Sequence, residues 1–126
     1  GFDDSGRVEN IRRISEVCKL FFESGSIVAC SFISPFKKER DFARSLVPAD
    51  RFIEIYVKCD IDTCKDRDPK GLYEKAMNGE IKDFTGINSP YEEPVDPEIT
   101  IDSSSDSIEE CASQIIDALL AKGIIK

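Results

Sequence analysis

Apolar residues recur at helical spacing near the start of the chain: Ile11, Ile14, Val17, Cys18 and Phe21 fall on one stripe. The spacing predicts a helix over 9–24, with Gly25 as the left-handed residue just past its end. The next run, Ile27 to Ile33, is apolar almost without alternation and rich in β-branched residues. That pattern predicts a strand covered on both faces of a parallel sheet. Ser34-Pro35 then reads as an N-cap followed by proline at the first helical position, opening a helix to about Val47 that Pro48 closes. Residues 52–57 predict a second strand, Asp60 caps a short helix to about Arg67, and residues 99–101 predict a third strand. Ser107 and Glu110 have the spacing of a capping box. They open a last helix whose stripe is Ile108, Cys111, Ala112, Ile115, Ile116 and Leu119, with Gly123 beyond its end.

Residues 68–97 break this regularity with Pro69, Pro90, Pro94, Pro97, Gly71, Gly79 and Gly86, and only residues 72–77 have helical character. A long irregular stretch of this kind predicts a lid. Strands alternating with helices predict an α/β fold, a parallel sheet with right-handed crossovers. Ligands of such sheets bind beyond the carboxyl ends of the strands. Three junctions therefore become candidates: Ser34-Pro35, residues 58–62 and residues 102–105.

Composition narrows the chemistry. A chain of 126 residues is read as one domain, burying roughly 67% of its unfolded surface. It is 40% hydrophobic and 33% charged, so it reads as globular, and no apolar run approaches the roughly 20 residues of a membrane span. A net charge of -8 argues against nucleic acid as partner. It leaves room for a small anionic substrate held by a local cluster of cations. With no His, imidazole catalysis and His metal sites are absent. The five Cys contain no C-x-x-C pair and read as reduced core thiols, the usage of a cytoplasmic protein. The first residue is Gly1 rather than Met, so an upstream targeting segment, plastid or other, stays open.

Cations gather near the predicted junctions: Arg7, Arg12 and Arg13 beside the first helix, Lys37, Lys38 and Arg40 after Ser34, Arg67 and Lys70 around a Pro-Gly turn, and Lys82 next to the aromatic Phe84. Taken singly, each reads as a surface charge and Ser34 as a plain N-cap. Their convergence on one edge of a sheet is what suggests an anionic nucleotide.

Four segments carry a resemblance. They are residues 7–14 (Arg-Val-Glu-Asn-Ile-Arg-Arg-Ile), 31–35 (Ser-Phe-Ile-Ser-Pro), 67–73 (Arg-Asp-Pro-Lys-Gly-Leu-Tyr) and 81–92, with Phe-Thr-Gly-Ile at 84–87 and Ser-Pro-Tyr-Glu at 89–92. In this order and spacing they resemble adenylylsulfate kinase (APS kinase). The resemblance implies a P-loop NTPase-like, three-layer fold, a parallel sheet flanked by helices. It implies transfer of the γ-phosphoryl of ATP to the 3′-hydroxyl of adenosine 5′-phosphosulfate (APS), giving PAPS in sulfate assimilation, with Mg²⁺ as cofactor. It implies that Phe2 and Phe84 sandwich the APS adenine, and that Arg7, Asn10, Ile33, Ser34, Lys70, Lys82 and Asp83 approach APS. Arg67 stacks on the ATP adenine, and Ser34 is also a phosphoserine position of the family. A homodimer, and fusion to an ATP sulfurylase, are further implications of the family.

The chain departs from the pattern in two respects. Gly6 stands where the family has Asp before its Arg, and no G-x-x-x-x-G-K-[ST] phosphate loop occurs anywhere. The phosphate loop and its strand, together with the Mg²⁺ ligands, are expected upstream of Gly1. The expectation is then an incomplete domain, inactive alone and with exposed apolar strand edges. Two alternatives stay open: a non-catalytic remnant that binds APS or PAPS or another partner, and a different small-molecule kinase of the same fold.

Overall fold

Asp3 sets the start of the first helix. Its carboxylate accepts the Gly6 N–H at 3.1 Å and the Ser5 hydroxyl at 2.9 Å, which draws its pKa below the usual carboxylate value. The computed structural model describes residues 3–126 and places α1 at Asp4–Glu23. The helix begins five residues ahead of the predicted Glu9, because the Asp3 cap outweighs the lack of apolar periodicity there. It ends as expected, with Gly25 at a φ of 89°. The chain divides into two units. One runs to Phe52 and resumes over Leu72–Glu93; the other comprises Ile53–Gly71 and Pro94–Lys126.

In the first unit α1 packs against α2, Lys37–Ser45. A short 3-10 turn follows at Ala49–Arg51, and α4 occupies Leu72–Met77. Ile11 and Ser15 are the buried residues of α1, and the Ser15 hydroxyl donates to the Ile11 carbonyl at 2.7 Å. Of the predicted stripe, Val17 and Phe21 are exposed. The predicted strand over 27–33 is extended chain without a ladder partner among the described residues, and Ile27, Val28, Phe32 and Ile33 are exposed. Its composition suits a buried strand, but a strand exists only where a neighbour takes up its backbone N–H and C=O groups. Ser34 is not the cap of α2 and Pro35 is not its first residue. Ser34 has a φ of 42°, and the N-cap is Phe36, in extended conformation and with no side-chain cap bond.

The second unit holds the sheet. β1 (Ile55–Lys58) runs parallel to β2 (Ile99–Asp102), with Ile55 opposite Ile99 and Lys58 opposite Asp102. Ile99 and Ile101 are buried while Thr100 between them is exposed, the two-residue period of a strand with one covered face. The cover is α5, Ile108–Ala121, whose Cys111, Ile115, Ala118 and Leu119 pack on Ile99 and Ile101 together with Ile53 and Ile55. Ile108 and Ile116, assigned to that stripe from the sequence, lie outside it and are exposed. The predicted capping box is present: the Ser107 hydroxyl accepts the Glu110 N–H at 3.2 Å, and the Glu110 carboxylate accepts the Ser107 N–H at 2.8 Å. Asp60 caps α3, Ile61–Arg67, as predicted.

These contacts rank the stabilising groups of the second unit. Ile101→Ala should destabilise by about 2–5 kcal/mol through lost burial and a residual cavity. Ser107→Ala should cost about 1 kcal/mol through the lost cap. Urea denaturation of the two variants checks the order; a larger loss for Ser107→Ala would contradict this packing.

Candidate functional site

The first turns of α1 carry the predicted Arg7 and Asn10, which are neighbours on the helix surface at i and i+3. Arg7 sits in a polar node. Its Nη1 lies 3.4 Å from the Asp4 carboxylate and 3.4 Å from the Ser89 hydroxyl, and that hydroxyl donates to the same Asp4 oxygen at 3.0 Å. The Arg7 side chain is only 16% exposed and Ser89 is buried. A low-dielectric setting strengthens such charge-assisted bonds and fixes the guanidinium more firmly than a surface pair would. Asn10 is exposed and lines a cleft of about 280 Å³ with Gly6, Glu9 and Arg13. Glu9 is held by Arg12 and Arg13 at 2.7–3.0 Å. The Arg12 bond first, then that of Arg13, brings the Glu9 pKa down to about 2.

Ser89 closes the loop that presents Phe84. The Phe84 carbonyl accepts the N–H groups of Ile87, Asn88 and Ser89 at 3.0–3.1 Å, and Gly86 N–H donates to the Ser89 carbonyl at 2.8 Å. Asn88 braces the other side, its amide donating to the Ile81 carbonyl at 3.0 Å while its oxygen accepts the Phe84 N–H. The Phe84 ring is half-buried and meets Tyr73 of α4 edge to face, 4.9 Å between centroids. Lys82 and Asp83 are exposed just before it, and Asp83 takes a φ of 57°, a left-handed position that Asp tolerates better than most residues. Phe2, the proposed partner of Phe84, lies outside the described residues.

Ile33 is exposed and Ser34 half-buried at a corner that closes on itself through residue 92. The Glu92 N–H donates to the Pro35 carbonyl at 2.8 Å, and its carboxylate accepts the Lys37 N–H at 2.6 Å. Arg40 donates to the Ser34 carbonyl at 2.7 Å and to the Glu92 carbonyl at 2.6 Å. The start of α2, predicted as an anion site with Ser34 as its cap, thus already holds a carboxylate from far along the chain. Asp4 and Asn88 were not singled out by sequence, and Arg40, Ser89 and Glu92 were named there only as a cation after Ser34 and as members of the 89–92 segment, without the contacts they make here. Asn88-Ser89-Pro90 carries a local turn signal. The partners of Glu92 lie 52–57 residues away, and a single sequence holds no signal for them.

Arg67 and Lys70 belong to the second unit. Arg67 is the last residue of α3 and Lys70 follows in an exposed turn, where Gly71 N–H donates to the Asp68 carbonyl at 3.0 Å. At the carboxyl end of β1, Asp60 accepts the Thr63 N–H at 2.8 Å and the Thr63 hydroxyl at 2.7 Å. The Thr63 bonds, with a further one from Ser104, bring its pKa down to about 2. Burial pushes the neighbouring Cys59 thiol up, but hydrogen bonds with Ser104, Cys64 and Ser103 and the charge of Arg67 outweigh it, leaving its pKa below the ordinary thiol value. Among the described residues no three His, Cys, Asp or Glu side chains gather to hold a metal ion, and no helix is long and apolar enough to cross a membrane.

Comparison with known proteins gives a consistent picture. A model of the adenylylsulphate kinase family matches residues 1–102. The adenylyl-sulfate kinase of Bacillus licheniformis is 60% identical over 116 residues, covering 92% of this chain and 59% of that protein. That of Acaryochloris marina is 55% identical over 126 residues, covering 100% and 62%. The structure of the Mycobacterium tuberculosis APS kinase in complex with AMPPNP and APS superposes with a TM-score of 0.87 at 41% identity, over 95% of this chain and 70% of that one. The chain spans about three fifths of the length of these curated relatives. The parallel strands with their helices, and the structural likeness, give an α/β fold of the P-loop NTPase-like class.

Two outcomes follow from the geometry. Glu92→Ala should release the Lys37 amide and speed its hydrogen exchange, at a stability loss of about 1 kcal/mol, the usual size of a lost cap. Glu92→Gln, which keeps an acceptor oxygen, should lose less; unchanged exchange at Lys37 in Glu92→Ala would contradict the cap. For Asp60, a folded pKa below the unfolded value means stabilisation that is complete above the ordinary value of 3.8 and is lost as pH falls toward about 2. An acid titration followed at the Thr63 amide should show that loss between about pH 4 and pH 2, and Asp60→Asn should remove it.

Proposed function

The chain belongs to the adenylylsulphate kinase family, and from that premise we propose that it supplies the APS-binding turn and lid of an enzyme that phosphorylates APS. The reaction is transfer of the γ-phosphoryl of ATP to the 3′-hydroxyl of APS, giving PAPS. The observation that carries this reading is the Arg7–Asp4–Ser89 node. It fastens the loop presenting Phe84 to the helical turn presenting Arg7 and Asn10, so an aromatic surface and a cation are held by the same contacts. A nucleotide with an anionic tail needs those two groups together.

In this reading the Phe84 ring stacks on the APS adenine, with Phe2 as its partner. Stacking recognises a base without any basic surface, which suits a chain of net charge -8. At that charge the long-range field repels anions, so attraction falls to local cations. Arg7 and Lys82 meet the phosphosulfate group. Asn10 hydrogen-bonds the substrate, the Asp83 backbone touches it, and Ile33 with Ser34 forms the corner it rests against. Arg67 stacks on the adenine of ATP. Phosphoryl transfer demands positioning and charge neutralisation more than covalent chemistry from the protein. The absence of His from this chain is therefore no contradiction. A loop that closes over the donor also excludes water as a competing acceptor.

Base–aromatic stacking contributes about 1–3 kcal/mol per base. In the enzyme that contains this chain, Phe84→Ala should therefore raise the Kd for APS about tenfold or more while the affinity for ATP stays near its starting value. Calorimetric titration with each nucleotide checks the split. Equal weakening of both would overturn the assignment of Phe84 to APS.

A further inference from the structure

The guanidinium of Arg40 spans two backbone carbonyls that lie far apart in the chain. Its Nη1 donates to the Ser34 carbonyl at 2.7 Å and its Nη2 to the Glu92 carbonyl at 2.6 Å. We propose that Arg40 is a positioning residue for the acceptor nucleotide, a role that rests on the reading of the Ile33-Ser34 corner and the Phe84 ring as contacts of APS. It acts through the backbone it holds, setting that corner against the end of the loop that presents Phe84.

A guanidinium is a rigid planar fork, so its two amino groups fix the spacing and direction of both carbonyls at once. A lysine ammonium is a point charge on a flexible stem and sets no such spacing. Arg40 is half-buried near the start of α2, where its own N–H returns to the Phe36 carbonyl at 3.4 Å. The same stretch engages Glu92 twice more. The Glu92 carboxylate accepts the Lys37 N–H at 2.6 Å, and the Glu92 N–H donates to the Pro35 carbonyl at 2.8 Å. Residue 92 is thus held by its N–H, its carbonyl and its side chain, all from residues 35–40. Every one of these groups belongs to the first unit.

Ser34 is where the fork has most to hold. Its φ of 42° is a left-handed conformation that a residue other than glycine keeps only where its surroundings enforce it. The buried Pro35 fixes the chain on one side, and the bond from Arg40 holds the Ser34 carbonyl. Without the fork, Ser34 relaxes toward the more populated negative φ and the corner turns with it. The loop end at residue 92 loses one of its three bonds in the same event. Both movements fall on the acceptor side. Ile33, Ser34 and Phe84 lie in the first unit, whereas Arg67, the group proposed for the ATP adenine, belongs to the second. Loss of the fork therefore weakens the acceptor and spares the donor.

The test is steady-state PAPS formation by the enzyme that contains this chain, with APS and ATP varied in turn. Arg40→Lys keeps the charge and removes the fork. It should raise the KM for APS about tenfold, the size of one lost hydrogen bond from a charged donor, with the KM for ATP near its starting value. Arg40→Ala, which loses both bonds, should move the KM for APS further in the same direction. A residue that serves folding alone changes the amount of active enzyme and not the balance between its substrates. A fall in kcat with both KM values unchanged, an equal rise in both, or unchanged kinetics in Arg40→Lys would therefore overturn the role of Arg40 while leaving the APS reading in place. Failure of the wild-type enzyme to form PAPS from APS would overturn the reading and, with it, this role.

Discussion

Glu92 makes the contact on which the first unit turns. Its backbone bonds to Pro35, its carboxylate takes the first N–H of α2, and Arg40 reaches back to bond both Ser34 and Glu92. An irregular stretch has no ladder or helix to satisfy its backbone, so its position depends on such bonds. Here the end of the stretch is clasped to the corner after the extended segment. Three residues earlier the stretch is fastened by Ser89 to Arg7 and Asp4. Both anchor points follow the loop holding Lys82, Asp83 and Phe84, and together they fix where that loop rejoins the unit. Ser34 is part of this clasp through its carbonyl, and its φ of 42° is the backbone price of the sharp corner.

The two anchors differ physically. The Glu92 carboxylate is exposed, and its strength comes from meeting the helix dipole and a free N–H at once. The Arg7 node is part-buried and involves a charge pair with a bridging hydroxyl. Breaking it would leave a poorly solvated guanidinium, which costs more than the loss of a surface pair. The node that bears the proposed substrate cation is thus also the costlier to disturb. A site built on it binds with little reorganisation.

Local signals in the sequence carried far. The Asp60 cap, the Ser107–Glu110 box and the Gly25 and Gly123 helix ends each depend on residues within one turn, and each is present. The parallel pairing of the strands at 55–58 and 99–102 followed from their alternation with helices. The failures were non-local. Residues 27–33 have strand composition, but pairing requires a neighbour that composition does not name. Ser34-Pro35 looks like a helix start, yet the acceptor that caps α2 comes from Glu92, 55 residues from Lys37. Of the candidate site, Arg7, Asn10, Lys82, Asp83 and Phe84 were legible through motif resemblance. That Asp4, Asn88 and Ser89 hold them emerged only from the coordinates.

The proposed role is as part of an enzyme that moves a phosphoryl group onto APS. Its most direct test follows labelled phosphorus from [γ-³²P]ATP in the enzyme that contains this chain. The account predicts that the label appears on the 3′-oxygen of APS and only when APS is present. Label released as inorganic phosphate with APS left unchanged, or carried to a different acceptor in preference to APS, would contradict it.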